Sequence, residues 1–146
     1  KNFSYCFDKH SREYPATLML NNFSKKLFIK NKNKNILIKP IKVQHGNVHS
    51  ICYIVDKKLA YISDVNKIYK KDYKYFKNLR YLIIDCLWYR NHPSHFNLEK
   101  SLEMIKKFKP KKAILTNLHT DIDYEEIKRK LPKDIVPAYD GLSVTL

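Results

Sequence analysis

The chain has 146 residues, enough for one domain and too few for two ordinary ones, and an apolar share of 44% suffices for a core. No apolar run approaches the roughly 20 residues that a membrane span requires. The formal net charge of +15, from 29 Lys and Arg against 14 Asp and Glu, points first to nucleic acid or another polyanion.

The opening Lys1-Asn2-Phe3-Ser4-Tyr5-Cys6 has no apolar stretch after its basic residue and does not read as a signal peptide. It also lacks an initiator Met, so the sequence is expected to begin after a missing segment. Cys6, Cys52 and Cys86 show no CxxC spacing, which argues against a disulfide scaffold and for a reducing compartment, the cytoplasm by default. Cys52 and Cys86 lie in apolar runs and are expected to be small buried hydrophobes.

The lysines run along the whole chain, as in Lys25-Lys26, Lys57-Lys58, Lys70-Lys71 and Lys111-Lys112, in company with Asn, Ile and Tyr. These are the residues of A/T-rich codons. A genome-wide codon bias accounts for the combination and ranks above specific nucleic-acid binding, although attraction to phosphates follows either way.

From Lys1 to about Val65 the chain reads as short strands and turns. Leu27-Phe28-Ile29 and Ile36-Leu37-Ile38 flank a Lys/Asn segment as a hairpin. Ile41-Lys42-Val43 alternates, Ile51 to Val55 is a buried-strand run, and Leu59 to Ile62 follows a charged turn. From about Asn66 onward helices and strands alternate. Asp72 to Leu79 suits a short helix, and Tyr81 to Asp85 is a strong strand. Asn97 is a good N-cap for a helix carrying Leu98, Leu102, Ile105 and Phe108 on one face, and Pro110 stops it. Lys112 to Thr116 is the next strand. Asp123 and Glu126 form a capping-box pattern for a second helix with Ile127 and Leu131 as its stripe. Leu142 to Leu146 is expected to form a last short strand after the turn at Asp140-Gly141. The class is α+β, with helices covering one face of a mixed sheet.

Four segments place His or Asp directly after apolar runs: Gln44-His45-Gly46, Ser63-Asp64, His92-Pro93-Ser94-His95 and Asn117-Leu118-His119. Loops at the ends of buried strands can aim ligands at a common point, and imidazoles with a carboxylate suit Zn, Mn, Fe or Ni. Each residue also has a simpler structural role. His45 fits a turn, Asp64 a helical cap, His92 and His95 a pre-cap around Pro93, and His119 a surface loop.

The order His45-Gly46, Tyr61-Ile62-Ser63-Asp64, Asp85-Cys86-Leu87, His92-Pro93-Ser94-His95-Phe96-Asn97-Leu98, Lys111 to Asn117 and Ala138-Tyr139-Asp140-Gly141 resembles the metallo-β-lactamase-fold hydrolases. Among these it is most similar to the group that includes phosphoribosyl cyclic-phosphate phosphodiesterases. The resemblance implies an αββα sandwich of which this chain, residues 1–146, is a partial domain: the C-terminal half, one mixed sheet with flanking helices. It implies a middle histidine ligand at His45 and a bridging aspartate at Asp64. The last ligand falls in a Leu-Thr-His segment, where this chain has Leu115-Thr116-Asn117, so that His119, two residues on and on the same face of an extended strand, is the expected replacement. His95, with His92 nearby, resembles the non-ligand histidine at the substrate phosphate, which stabilises developing charge or protonates the leaving oxygen. The implied cofactor is a divalent transition metal, Zn or Mn foremost, two ions in the complete enzyme, activating water for in-line attack on phosphorus.

The family's principal motif, His-x-His-x-Asp-His, is absent, and His10 stands in Asp8-Lys9-His10-Ser11 without partners. The expectation is a partial metal-dependent phosphodiester hydrolase acting on a phosphate ester, a cyclic phosphate or a nucleotide phosphodiester. An uncovered apolar sheet face would seek a companion chain or a second copy. The two other readings are a basic nucleic-acid-binding module and an inactive relic of a split gene.

Overall fold

In the computed structural model, residues 4–7, 15–19, 21, 26–30 and 35–146 are described. His10 lies outside them. They form one seven-stranded sheet whose strands follow chain order: β1 (Leu27–Ile29), β2 (Ile36–His45), β3 (Val48–Val55), β4 (Leu59–Ile62), β5 (Tyr81–Asp85), β6 (Lys112–Thr116) and β7 (Ile135–Pro137). The first four pair antiparallel, and β4 through β7 pair parallel. Each parallel step needs a crossover. A 3-10 turn (Lys70–Tyr75) bridges β4 to β5, helix α1 (Leu98–Phe108) bridges β5 to β6, and α2 (Tyr124–Lys130) bridges β6 to β7.

The expected hairpin around the Lys/Asn segment forms, with Leu27 opposite Ile38 and Ile29 opposite Ile36. The strand after it is longer than the sequence suggests, because β2 continues through Pro40 to His45. Pro40 lies beyond Ile38, the last β2 residue paired with β1, where no outer ladder bond is lost for want of its N–H. The helix expected over Asp72 to Leu79 is instead the short 3-10 turn. A further correction concerns the end of the chain. Leu142 to Leu146 is not a strand, and the last strand is the earlier Ile135–Pro137. Proline at both ends, Pro132 and Pro137, hid it, yet an edge strand tolerates proline.

Strand alternation divides the sheet. One face carries Ile41, Val43, Cys52, Ile54, Ala60, Ile62, Leu82, Ile84, Ala113 and Leu115, all buried under Phe76, Met104, Ile105, Phe108 and Ile127 of the helical layer. The other face pairs Lys42 with Ile51, Tyr53 with Tyr61, Tyr61 with Ile83, and Ile83 with Ile114. Among the described residues no α-helix lies on it, and Ile51 and Tyr61 on it are 45% and 40% exposed. Among the described residues, no helix is long and apolar enough to cross a membrane.

Candidate metal centre

The parallel strands all end at one edge of the sheet, and the polar residues that follow them meet there. His45 closes β2. Asp64 stands two residues past β4 with a φ of 53°, and Asn117 follows β6 with a φ of 61°. Asp and Asn are the L-residues that take the left-handed region most readily, and here it turns their side chains back over the strand ends. Asp64 is held by its backbone, whose carbonyl accepts from Ser50 Oγ at 2.6 Å.

His45, Asp64 and His95 each offer a ligand atom, and these atoms lie within 4.8 Å of one another. The ring nitrogens His45 Nε2 and His95 Nε2 are 3.1 Å apart, with the rings edge to face. Two imidazoles and a carboxylate fit a divalent transition metal by the chemistry of the donors.

Behind this group sits Asp85, fully buried at the end of β5. Its Oδ2 accepts from the Val65 N–H at 3.0 Å and lies 2.8 Å from His95 Nδ1, while its Oδ1 accepts from Asn117 Nδ2 at 3.1 Å. Burial pushes the Asp85 carboxyl up from its ordinary value, and the hydrogen bonds from Val65, His95 and Asn117 oppose that rise. A carboxylate on Nδ1 fixes the His95 tautomer and turns Nε2 toward the cluster. Asn117 Nδ2 also donates to Asp64 Oδ1, at 3.2 Å, so this amide ties the two carboxylates together.

The loops bearing His45 and His95 are fastened to each other. Asn66 accepts from the Gly46 N–H through Oδ1 at 3.2 Å and donates to the Pro93 carbonyl through Nδ2 at 2.6 Å. Gly46 has a φ of +58°, and a Cβ there would stand 3.1 Å from Ser94 Cβ. His92 lies beside His95, ring centroids 5.2 Å apart, and its Nδ1 accepts from the Ser94 N–H at 3.3 Å. A groove of about 370 Å³ runs past His92, His95, Asn66 and Lys100.

Of the residues expected at the site, His45, Asp64 and His95 are therefore brought together, with His92 at the margin. His119 is not brought to the cluster. It stacks on Trp88, centroids 4.9 Å apart, and its Nδ1 lies 3.5 Å from Asp121 Oδ1. Strand β6 stops at Thr116, and the left-handed turn at Asn117 ends the alternation that would have kept His119 on the ligand face. The residue of this segment that reaches the Asp64 carboxylate is Asn117. Asp85 and Asn66 had no assigned role in the sequence. The first closes the strongest apolar strand and stands in one of the segments that carry the resemblance, without a role of its own.

No family sequence model matches the chain, and no curated protein matches it by sequence. Its backbone does superpose on solved structures. One is a diphosphatase of the PhnP family, with a TM-score of 0.81 and 27% identity over 94% of this chain and 53% of that one. This is part of a metallo-β-lactamase fold. The short form of human tRNase Z superposes at a TM-score of 0.61 and 12% identity over 83% of this chain and 46% of that one. The metallo-β-lactamase-fold protein YhfI from Bacillus subtilis does so at 0.62 and 14%, over 82% and 53%. The chain thus spans about half the length of each of these three structures. The single mixed sheet with helices on one face is the expected α+β partial domain.

Proposed function

We propose that the complete protein is a metal-dependent hydrolase of phosphate esters, with phosphodiesters, cyclic or nucleotidic, as its substrate class. The observation that carries this reading is the convergence of His45, Asp64 and His95 within 4.8 Å at the carboxyl edge of the parallel strands. Two of the similar structures, a diphosphatase and a tRNase, have names that denote attack on phosphorus–oxygen bonds.

His45 and Asp64 would hold the metal, Zn or Mn, whose part is Lewis-acid activation of water and of the phosphoryl group. The residues of this chain do the rest. Asp85 orients the His95 ring through Nδ1, which leaves Nε2 beside the His45 and Asp64 ligand atoms, where it would donate to a leaving oxygen. Asn117 holds the Asp64 and Asp85 carboxylates in register without adding charge. His92 stands at the groove wall, within reach of a phosphate oxygen.

Two histidine or aspartate ligands are few for a dinuclear centre. The remaining ligands are assigned to a segment that covers the exposed sheet face around Ile51 and Tyr61: the remainder of the same polypeptide, a companion chain or a second copy. The test is hydrolysis of bis(p-nitrophenyl) phosphate and of a cyclic nucleotide with Mn, using the complete assembly. His95→Ala is expected to lower kcat by about 10²–10⁴, the worth of a positioned general acid. Unchanged turnover in both His45→Ala and Asp64→Ala would sink the proposal.

A further inference from the structure

The segment that follows β4 carries more than Asp64. Val65 is fully buried, with its N–H bonded to Asp85, and the next residue, Asn66, meets β2 beyond the part that pairs with β1. There the Asn66 backbone N–H donates to the Gln44 carbonyl at 2.9 Å, and the Gln44 N–H donates to the Lys67 carbonyl at 3.0 Å. The side chain reaches in two further directions. Its Oδ1 accepts from the Gly46 N–H at 3.2 Å, across 20 residues of sequence, and its Nδ2 donates to the Pro93 carbonyl at 2.6 Å, across 27.

Each member of the cluster therefore stands within two residues of Asn66 or of a group bonded to it. His45 lies between Gln44 and Gly46, Asp64 precedes Asn66 by two residues, and His95 follows Pro93 by two. Gly46 leaves room for the approach, since a Cβ there would stand 3.1 Å from Ser94 Cβ.

The position also restricts the residue. A backbone donor and a backbone acceptor must be met together, and a carboxamide presents a carbonyl and an NH2 in one plane. A carboxylate would serve Gly46 but turn an oxygen against the Pro93 carbonyl. A hydroxyl offers a single oxygen for both tasks. Partners that hold metal ligands in place without touching the metal are worth roughly 10–100-fold in metal affinity.

We infer that Asn66 is a positioning residue of the centre. Through Gln44 and Gly46 it sets His45 against Asp64, and through Pro93 it sets His95 against both. The assignment rests on the proposed metal-dependent hydrolysis and adds to it a residue that touches neither metal nor substrate.

The experiment reads metal affinity and turnover separately, in the complete assembly and three variants. Mn affinity comes from the electron paramagnetic resonance signal of the free ion, and turnover from bis(p-nitrophenyl) phosphate at saturating Mn. Asn66→Ala should raise the Kd for Mn by about 10–100-fold. It should also lower kcat at saturating metal by about 10²-fold, the cost of a misplacement of about 1 Å. Asn66→Asp keeps the acceptor for Gly46 and loses the donor to Pro93. It should bind Mn no more than about threefold more weakly than wild type, while kcat falls by about tenfold or more. Asp123→Ala removes the cap of α2, whose Oδ1 accepts from the Glu126 N–H at 2.7 Å. That variant should lower the urea midpoint yet leave both readouts within about twofold of wild type.

Unchanged Kd and kcat in Asn66→Ala would overturn the assignment. Equal losses in Asp123→Ala would overturn it too, because they would report stability alone. If Asn66→Ala does not fold, Asn66→Asp decides: Mn retained with kcat lost supports the assignment, and any other combination refutes it. A wild type that neither binds Mn nor hydrolyses the diester overturns the hydrolase reading itself, and the role of Asn66 with it.

Discussion

Asp85 shows how one residue can serve both the core and the site. It is a carboxylate with no exposed surface, and it survives there because three donors converge on it. His95 is the partner whose role can be separated by mutation. As a proton donor it should be dispensable for metal, so His95→Gln is expected to keep the metal content of the complete assembly while losing turnover. Loss of metal in that variant would make it a ligand instead. The cysteines give a second residue-scale prediction. Burial pushes the Cys52 and Cys86 thiols from an ordinary 9.0 up to about 12. Iodoacetamide at pH 8 should therefore label Cys6 alone in the native chain and all three after unfolding. Because both values are raised on folding, the stability they lend is full below about pH 9 and is lost as pH climbs toward 12. His45 and Asp64 were legible as strand-end residues because they follow apolar runs, and the structure brings them into one cluster. His119 was not placed correctly by alternation, since the left-handed turn of Asn117 cannot be read from a strand pattern.

At the scale of elements, the capped helix was the most legible feature, because a cap is local chemistry. Asn97 Oδ1 accepts from the Lys100 N–H at 2.9 Å, and its Nδ2 donates to Asn91 Oδ1 at 2.9 Å. Asn97→Ala should cost about 1 kcal/mol, read as a lowered midpoint in urea unfolding. Ser101 then pins α1 to β5, donating to the Asp85 carbonyl at 2.6 Å. The β2–β3 turn is the other element under constraint. Gly46→Ala would impose left-handed strain of about 1–2 kcal/mol and drive a methyl against Ser94. The expected outcome is a larger stability loss than in Asn97→Ala, together with reduced turnover, because the turn carries His45 and abuts the His95 loop. Unchanged turnover would mean that the two loops are not coupled. What sequence could not give was the end of the sheet. Leu142 to Leu146 has the better strand composition, yet Ile135–Pro137 is the segment that pairs with the free edge of β6.

The described residues form a sheet with its α-helices on one side. The buried face and its helices were readable from apolar periodicity, as was the likeness to half of a sandwich. The second face was readable only as a gap, and the proposed function makes it the place where the rest of the assembly would dock. Exposed Ile51 and Tyr61 predict that the isolated chain self-associates or binds a hydrophobic dye, and that Ile51→Lys with Tyr61→Lys restores a monomer in light scattering. A chain that is already monomeric and dye-silent would argue that the face has cover of its own. The central claim, that the strand ends form a metal centre, is tested most directly by elemental analysis of the purified chain and its Asp64→Ala variant side by side. Bound Mn or Zn in the wild type that vanishes in the variant is the expected result. Metal retained equally by both would contradict it.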